Sequence, residues 1–225
     1  DGPVDAIWIE NMNTVMDDNR ILTLANNDRI PMLRPNVTLQ MEVEDLRNAS
    51  PATVSRAGVI FISSNDLGWR PMAQGYLKKR RKAEAEVLQS FFDKYVDLAL
   101  ALLRELTPRM AISEMGLVSS LLSMLTALTA EHREQLAARE LSEPAETAHL
   151  ERLFLFALAW SVGGTLETAD RARFDKFLRS ASSILPEAGT TIGSSPSDTI
   201  YSFVVSATSG EWEHWGKRVP SWRPP

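Results

Sequence analysis

Cysteine is absent from the 225 residues, so neither a disulfide framework nor a cysteine-ligated zinc site can form, which fits a reducing interior. No apolar run approaches the roughly 20 residues that a bilayer-spanning helix needs. The stretch Leu98 to Leu103 is too short and is flanked by charge, so no membrane contact is expected. Positive charge is not in excess: 24 Lys and Arg stand against 29 Asp and Glu, a formal charge of -5. Nucleic-acid binders usually carry a basic surface that dominates their affinity, so DNA and RNA are poor partners for this chain. The 3 histidines, His132, His149 and His214, are scattered, and no pair has metal-ligand spacing. The pattern Gly-x-x-x-x-Gly-Lys-Ser/Thr is also missing, so these residues alone cannot build a backbone cradle for a β-phosphate. The opening Asp1-Gly2-Pro3 has no initiator Met and no signal-peptide pattern, as expected of a piece cut from a longer chain.

What is present is a 44% hydrophobic composition, enough for one large domain or two small ones. Apolar positions at Ile7, Trp8, Met12, Val15 and Met16 predict a short helix within Val4 to Asp18. Residues 21–24 and 30–33 flank the polar tip 25–29 as a hairpin, because Asn and Asp tolerate the positive φ of tight turns. Val37, Leu39, Met41 and Val43 alternate with polar residues at the two-residue period of a strand. Ser50-Pro51 opens a short helix, and Gly58 to Ile62 reads as a strand buried on both faces. Helical spacing then takes over in 82–106, 114–140, 148–162 and about 169–182. A Gly, Ser and Thr-rich linker at 189–197 precedes a terminal hairpin built from 200–205 and 212–215. The expected fold is therefore part of a parallel α/β sheet, then an α-helical bundle, then a terminal β-hairpin. The expected divisions are 1–67, 68–188 and 189–225.

Several segments resemble one family closely. Asp1 to Asn13, Asp17-Asp18-Asn19 and Ala49-Ser50-Pro51-Ala52-Thr53-Val54-Ser55-Arg56 look like the second AAA+ module of dynein heavy chains. Gly68-Trp69-Arg70-Pro71, Ala159 to Gly164 and Gly210-Glu211-Trp212-Glu213-His214-Trp215 are similar to the same module, so the resemblance runs along nearly the whole chain. Asp1 to Asp5 and the tip Asn27-Asp28-Arg29-Ile30 lean toward the axonemal type.

The resemblance implies an AAA+ P-loop NTPase fragment: the C-terminal part of a large α/β subdomain, then a helical small subdomain. It places Asp1 at the Mg²⁺-holding acidic motif, with the alternative that Asp1 is a solvated terminal residue. Gly2 follows where a hydrolysing site has a glutamate to orient water, which implies a module that holds ATP or ADP with Mg²⁺ and hydrolyses slowly or not at all. The isolated fragment is expected to hold no nucleotide. Arg56 resembles the arginine finger offered to the nucleotide of the neighbouring first module, since a guanidinium is always charged and its planar fork meets phosphate oxygens. The competing reading of Arg56 is a structural arginine paired with a carboxylate at the helix end. Glu44 and Asp45 stand where the family places a polar γ-phosphate sensor; carboxylates there argue against hydrolysis, or else form a solvated loop. The helix 148–162 offers Leu153, Phe154 and Phe156 where a second sensor arginine belongs, with Arg152 off register, so no working second sensor is expected.

The same resemblance implies a place in the ATP-driven, minus-end-directed motor ring of a ciliary or flagellar axoneme. The implied partners are adjacent AAA+ modules of the same heavy chain, microtubules through the intact motor, and dynein intermediate and light chains. The basic run Lys78-Lys79-Arg80-Arg81-Lys82 is read as a solvated face or a contact with a neighbouring module. The rival function is a stand-alone adaptor in which Trp212, Trp215 and Trp222 anchor a protein partner.

Overall fold

The computed structural model describes residues 4–32, 36–110, 112–136, 142–187, 189 and 195–220, which fall into two compact units, 1–62 and 63–225. Unit 1 starts with helix α1 (Ala6–Glu10), capped by the Asp5 carboxylate accepting from the Ile7 N–H at 2.8 Å. A second turn, α2 (Asn13–Met16), leads into an antiparallel hairpin of β1 (Ile21–Thr23) and β2 (Arg29–Pro31), with Leu22 opposite Ile30. Asn27 at its tip has φ of 68°, the left-handed turn conformation that Asn accepts at low cost. The unit closes with α3 (Pro51–Arg56), where Ser50 is the N-cap and Pro51 takes the first turn.

The parallel sheet expected of 37–43 and 58–62 is not observed. Among the described residues the only ladders are two two-stranded antiparallel ones, and neither includes these segments. Alternation marks a segment able to bury one face, but a strand exists only when another strand satisfies its N–H and C=O groups. Without that partner the apolar side chains stay open to solvent: Ile60 and Phe61 are each 85% exposed.

Unit 2 is a helical bundle. After α4 (Ser64–Leu67), Gly68 adopts φ of 59° and sets up α5 (Arg70–Leu77), a helix the apolar pattern does not announce. Trp69 is buried beneath the Arg70 guanidinium, 4.8 Å from its ring centre, and its indole N–H donates to Asp97 at 3.1 Å. The long helix expected over 82–106 is continuous, but divided into α6 (Lys82–Phe91), a π turn (Phe92–Val96) and α7 (Asp97–Glu105). Its buried pairs Phe91/Phe92, Tyr95/Val96 and Ala99/Leu100 recur every four residues, slower than an α-helix turns. The wider π turn takes up that mismatch and keeps the stripe facing inward. Two further helices follow, α8 (Glu114–Leu136) and α9 (Glu143–Ser161).

Helix α9 has no polar face in its second half: every side chain from Leu153 to Ala159 is buried. Such a helix must be covered on all sides. Phe154 meets Phe91, Phe92 and Tyr95 at ring-centre distances of 5.7, 5.1 and 6.0 Å. On another flank Leu153 and Phe156 pack with Val204 and Val205 of the terminal hairpin, β3 (Phe203–Val205) paired to β4 (Trp212–His214). Helix α10 (Thr168–Ala181) adds the buried Asp175, which accepts the Ile200 N–H and the Arg179 Nε–H, each at 2.7 Å. No described helix is long and apolar enough to cross a membrane.

One carbonyl of the hairpin takes two side chains of α9. Gly210 adopts φ of 75°, and its oxygen faces both His149 Nδ1 at 3.1 Å and Arg152 Nη1 at 3.2 Å. Burial lowers the His149 pKa from its ordinary 6.5, since the charged ring loses water. A base whose folded pKa is depressed contributes stability above its unfolded pKa and loses it as the pH falls, because the unfolded chain takes up the proton first. Acidification from about pH 7.5 to about pH 5.5 is therefore expected to lower the melting temperature, and His149→Gln to flatten that dependence. An unchanged slope in the variant contradicts the assignment. A second packing constraint lies at Gly163, where an added Cβ meets the Tyr201 hydroxyl at 2.0 Å and the Phe174 ring at 2.8 Å. Gly163→Ala is expected to cost about 1–3 kcal/mol in denaturant unfolding.

Candidate functional site

The residues singled out in unit 1 converge on one cavity of about 850 Å³. Arg56, Glu44 and Asp45 all line it, together with Val15, Met41 and Ile60. Asp1, expected as the Mg²⁺ ligand, lies outside the described residues, so the structure brings together three of the four candidates. Most of the wall is aliphatic. Interiors are packed nearly as densely as organic crystals, so an apolar space of this size is a face awaiting cover.

Arg56 stands in the last turn of α3, which the Ser50 cap starts: the Ser50 hydroxyl accepts the Thr53 N–H at 3.3 Å. The guanidinium is held at two of its three nitrogens. Its Nε–H donates to the Asp17 carboxylate, and Nη1 donates to the Ala52 carbonyl at 3.0 Å. Among the described residues Nη2 has no partner, and the side chain is 34% exposed. The pairing of Arg56 with a carboxylate, one of its two expected fates, is thus present, while Nη2 remains unpartnered among the described residues. A second link runs in parallel, since the buried Thr53 hydroxyl donates to Asn13 Oδ1 at 3.0 Å.

Asp45 is engaged locally. Its Oδ1 accepts the Arg47 N–H at 3.0 Å and its Oδ2 takes Arg47 Nε at 2.8 Å and Nη2 at 2.5 Å. That side-chain hydrogen bond to Arg47 holds the carboxyl below its ordinary pKa. Glu44 is exposed, with no partner among the described residues. Neither residue offers a donor to a phosphate.

Arg152 is also committed elsewhere. Besides the Gly210 carbonyl it meets Glu211 at 2.7 Å through Nη2, so its role in the structure is to hold the terminal hairpin. Trp212 donates its indole N–H to the Ile184 carbonyl at 2.8 Å and packs into the core, and Trp215 packs on the Leu153 cluster; both are half-buried rather than exposed anchors. Trp222 and the side chain of His132 lie outside the described residues. The His214 Nε2 faces Asp198 at 3.3 Å, while its Nδ1 accepts the Gly216 N–H, a pairing that ties β4 to the segment before β3. In the basic run, Arg80 is structural: it stacks 4.4 Å from the Tyr76 ring centre and bonds Thr129 at 3.2 Å. Lys82 on the same run is 92% exposed. Sequence reasoning missed Asp17 and Asn13 as partners of α3; both lie in a stretch quoted above for its family likeness, but nothing in their spacing points to position 56.

Residues 88–217 match the dynein heavy chain AAA lid domain family. The chain belongs to the dynein heavy chains. It is 44% identical over 220 residues to mouse dynein axonemal heavy chain 8, covering 97% of this chain and 4% of that protein. It is 42% identical over 226 residues to the dynein gamma chain of the flagellar outer arm of Chlamydomonas reinhardtii, covering 100% of this chain and 5% of that one. Rat dynein axonemal heavy chain 5 is 41% identical over 99% of this chain and 6% of its own length. The chain thus spans about a twentieth of the relatives it matches. They are axonemal and flagellar heavy chains, which assigns it to the ciliary or flagellar axoneme.

Proposed function

We propose that this chain is part of the second AAA+ module of a dynein motor ring, and that Arg56 supplies an arginine finger to the nucleotide of the neighbouring first module. The observation that carries this reading is the guanidinium at the end of α3, held by Asp17 at Nε and by the Ala52 carbonyl at Nη1, with Nη2 unpartnered among the described residues. A permanently charged planar fork in that attitude can meet γ-phosphate oxygens as negative charge develops on them. In this reading the segments 37–43 and 58–62 are strands of a parallel sheet whose other strands come from elsewhere in the heavy chain. Their uncovered apolar side chains and the aliphatic cavity support it.

The described residues do not fit a nucleotide held by this chain alone. There is no glycine-rich phosphate loop, the cavity is mainly aliphatic, and Asp45 is already bound to Arg47. ATP or ADP with Mg²⁺ belongs to the intact module, with Asp1 as the proposed metal ligand. Gly2 beside it leaves no side chain to orient water, so the module's own part is to hold nucleotide rather than turn it over. Its partners are the adjacent modules and, through the whole motor, microtubules and the intermediate and light chains. The adaptor reading gains nothing from Trp212 and Trp215, whose rings are used inside the fold.

Two measurements test the proposal. Replacing Arg56 with Ala in the full heavy chain should lower microtubule-stimulated ATP turnover by about 10³-fold, the lower end for supplied arginine fingers. Unchanged turnover contradicts the finger. Calorimetric titration of the 225 residues with MgATP should give no tight binding, and a low-micromolar affinity overturns the view that the chain lacks a phosphate site of its own.

A further inference from the structure

The geometry points to Asp17 as the positioning residue of the Arg56 finger, with Asn13 and Thr53 as a second rung that fixes the angle of the helix carrying it. This inference rests on the finger reading above and names the residues that make it work. The two rungs are in register. Asn13 and Asp17 stand four apart on α2 and its C-cap, and Thr53 and Arg56 stand three apart on α3, so one face of each helix meets the other. Thr53 is 3% exposed, and its hydroxyl is shared between Asn13 and Ser50, at 3.0 Å each. The inner rung is therefore buried and fixed, whereas the outer rung lies at the surface with Asp17 38% and Arg56 34% exposed.

An ion pair this exposed adds little to stability, because solvent screens it and two flexible side chains must be ordered. Its consequence is orientation. Arginine has a long, rotatable stem, and a finger that must find its geometry anew in each cycle loses rate. By taking the Nε–H while the Ala52 carbonyl takes Nη1, Asp17 fixes the plane of the guanidinium and leaves Nη2 without a partner among the described residues. The carboxylate holds the Nε–H, and a phosphate would meet the Nη2 hydrogen that points away from it, so the two do not compete for the same hydrogen. The pair with Asp17 and the finger role are simultaneous uses of one side chain.

The test is a double-mutant cycle in the full heavy chain. Asp17→Ala is expected to lower the kcat of microtubule-stimulated ATP hydrolysis about tenfold or more, with KM for ATP unchanged, since misplacement of a reacting group by about 1 Å costs on the order of 10²-fold. Asp17→Asn, which keeps the shape and an acceptor oxygen, should lose less and controls for folding. In an Arg56→Ala background, Asp17→Ala should cost nothing further, and Thr53→Val should follow the same pattern with a smaller effect. An equal loss on both backgrounds shows a structural role for Asp17 and overturns the inference. So does a kcat within about twofold of the parent when Arg56→Ala alone is impaired, although the finger itself then stands. If Arg56→Ala has no effect, the finger reading and this inference fall together.

Discussion

A helical stretch with no polar side has to be covered on every side, and that requirement on the second half of α9 organises the larger unit. From Leu153 to Ala159 every side chain is buried. The bundle helices cover one part of that circumference, with three aromatic rings placed around Phe154. The terminal hairpin covers another with Val204 and Val205. Even the π turn is a consequence, because a stripe of paired apolar residues recurring every four positions stays against α9 only if the helix is locally widened. The polar contacts then lock what burial has assembled: the Gly210 carbonyl between His149 and Arg152, and Asp175 between the Ile200 N–H and Arg179.

The smaller unit is built on the opposite principle. Its apolar segments outnumber the surfaces available to cover them, so Ile60 and Phe61 remain open while α2 and α3 are joined by hydrogen bonds. The order of that polar seam beside an uncovered apolar wall suits a part whose completion comes from neighbouring sequence. The functional consequence is local: a seam that fixes the direction of one arginine is already formed in these residues.

Periodicity made the helices legible, since apolar spacing at 3.6 residues is a direct image of a buried face. Turn chemistry did the same for the Asn27 hairpin tip and the Ser50 cap. Two features were not readable. The apolar alternation at 37–43 states that one face can be buried but not what pairs with the backbone, so the parallel sheet inferred from it has no ladder here. Helix α5 was hidden because it depends on the turn at Gly68 and on Trp69 docking to Asp97, a contact 28 positions away. At the site, Arg56 was visible through its family likeness, while its partner Asp17, 39 positions distant, carries no mark that spacing can reveal.

An arginine finger at position 56 requires the unpartnered Nη2 of one guanidinium to point at a triphosphate being cleaved next door. The most direct measurement is a high-resolution structure of the full motor with a γ-phosphate transition-state mimic in the first site. It should show Arg56 Nη2 within hydrogen-bond reach of the mimic, roughly 3 Å, while Nε still contacts Asp17. A guanidinium that stays on Asp17 with no phosphate oxygen within reach of Nη2 would contradict the account.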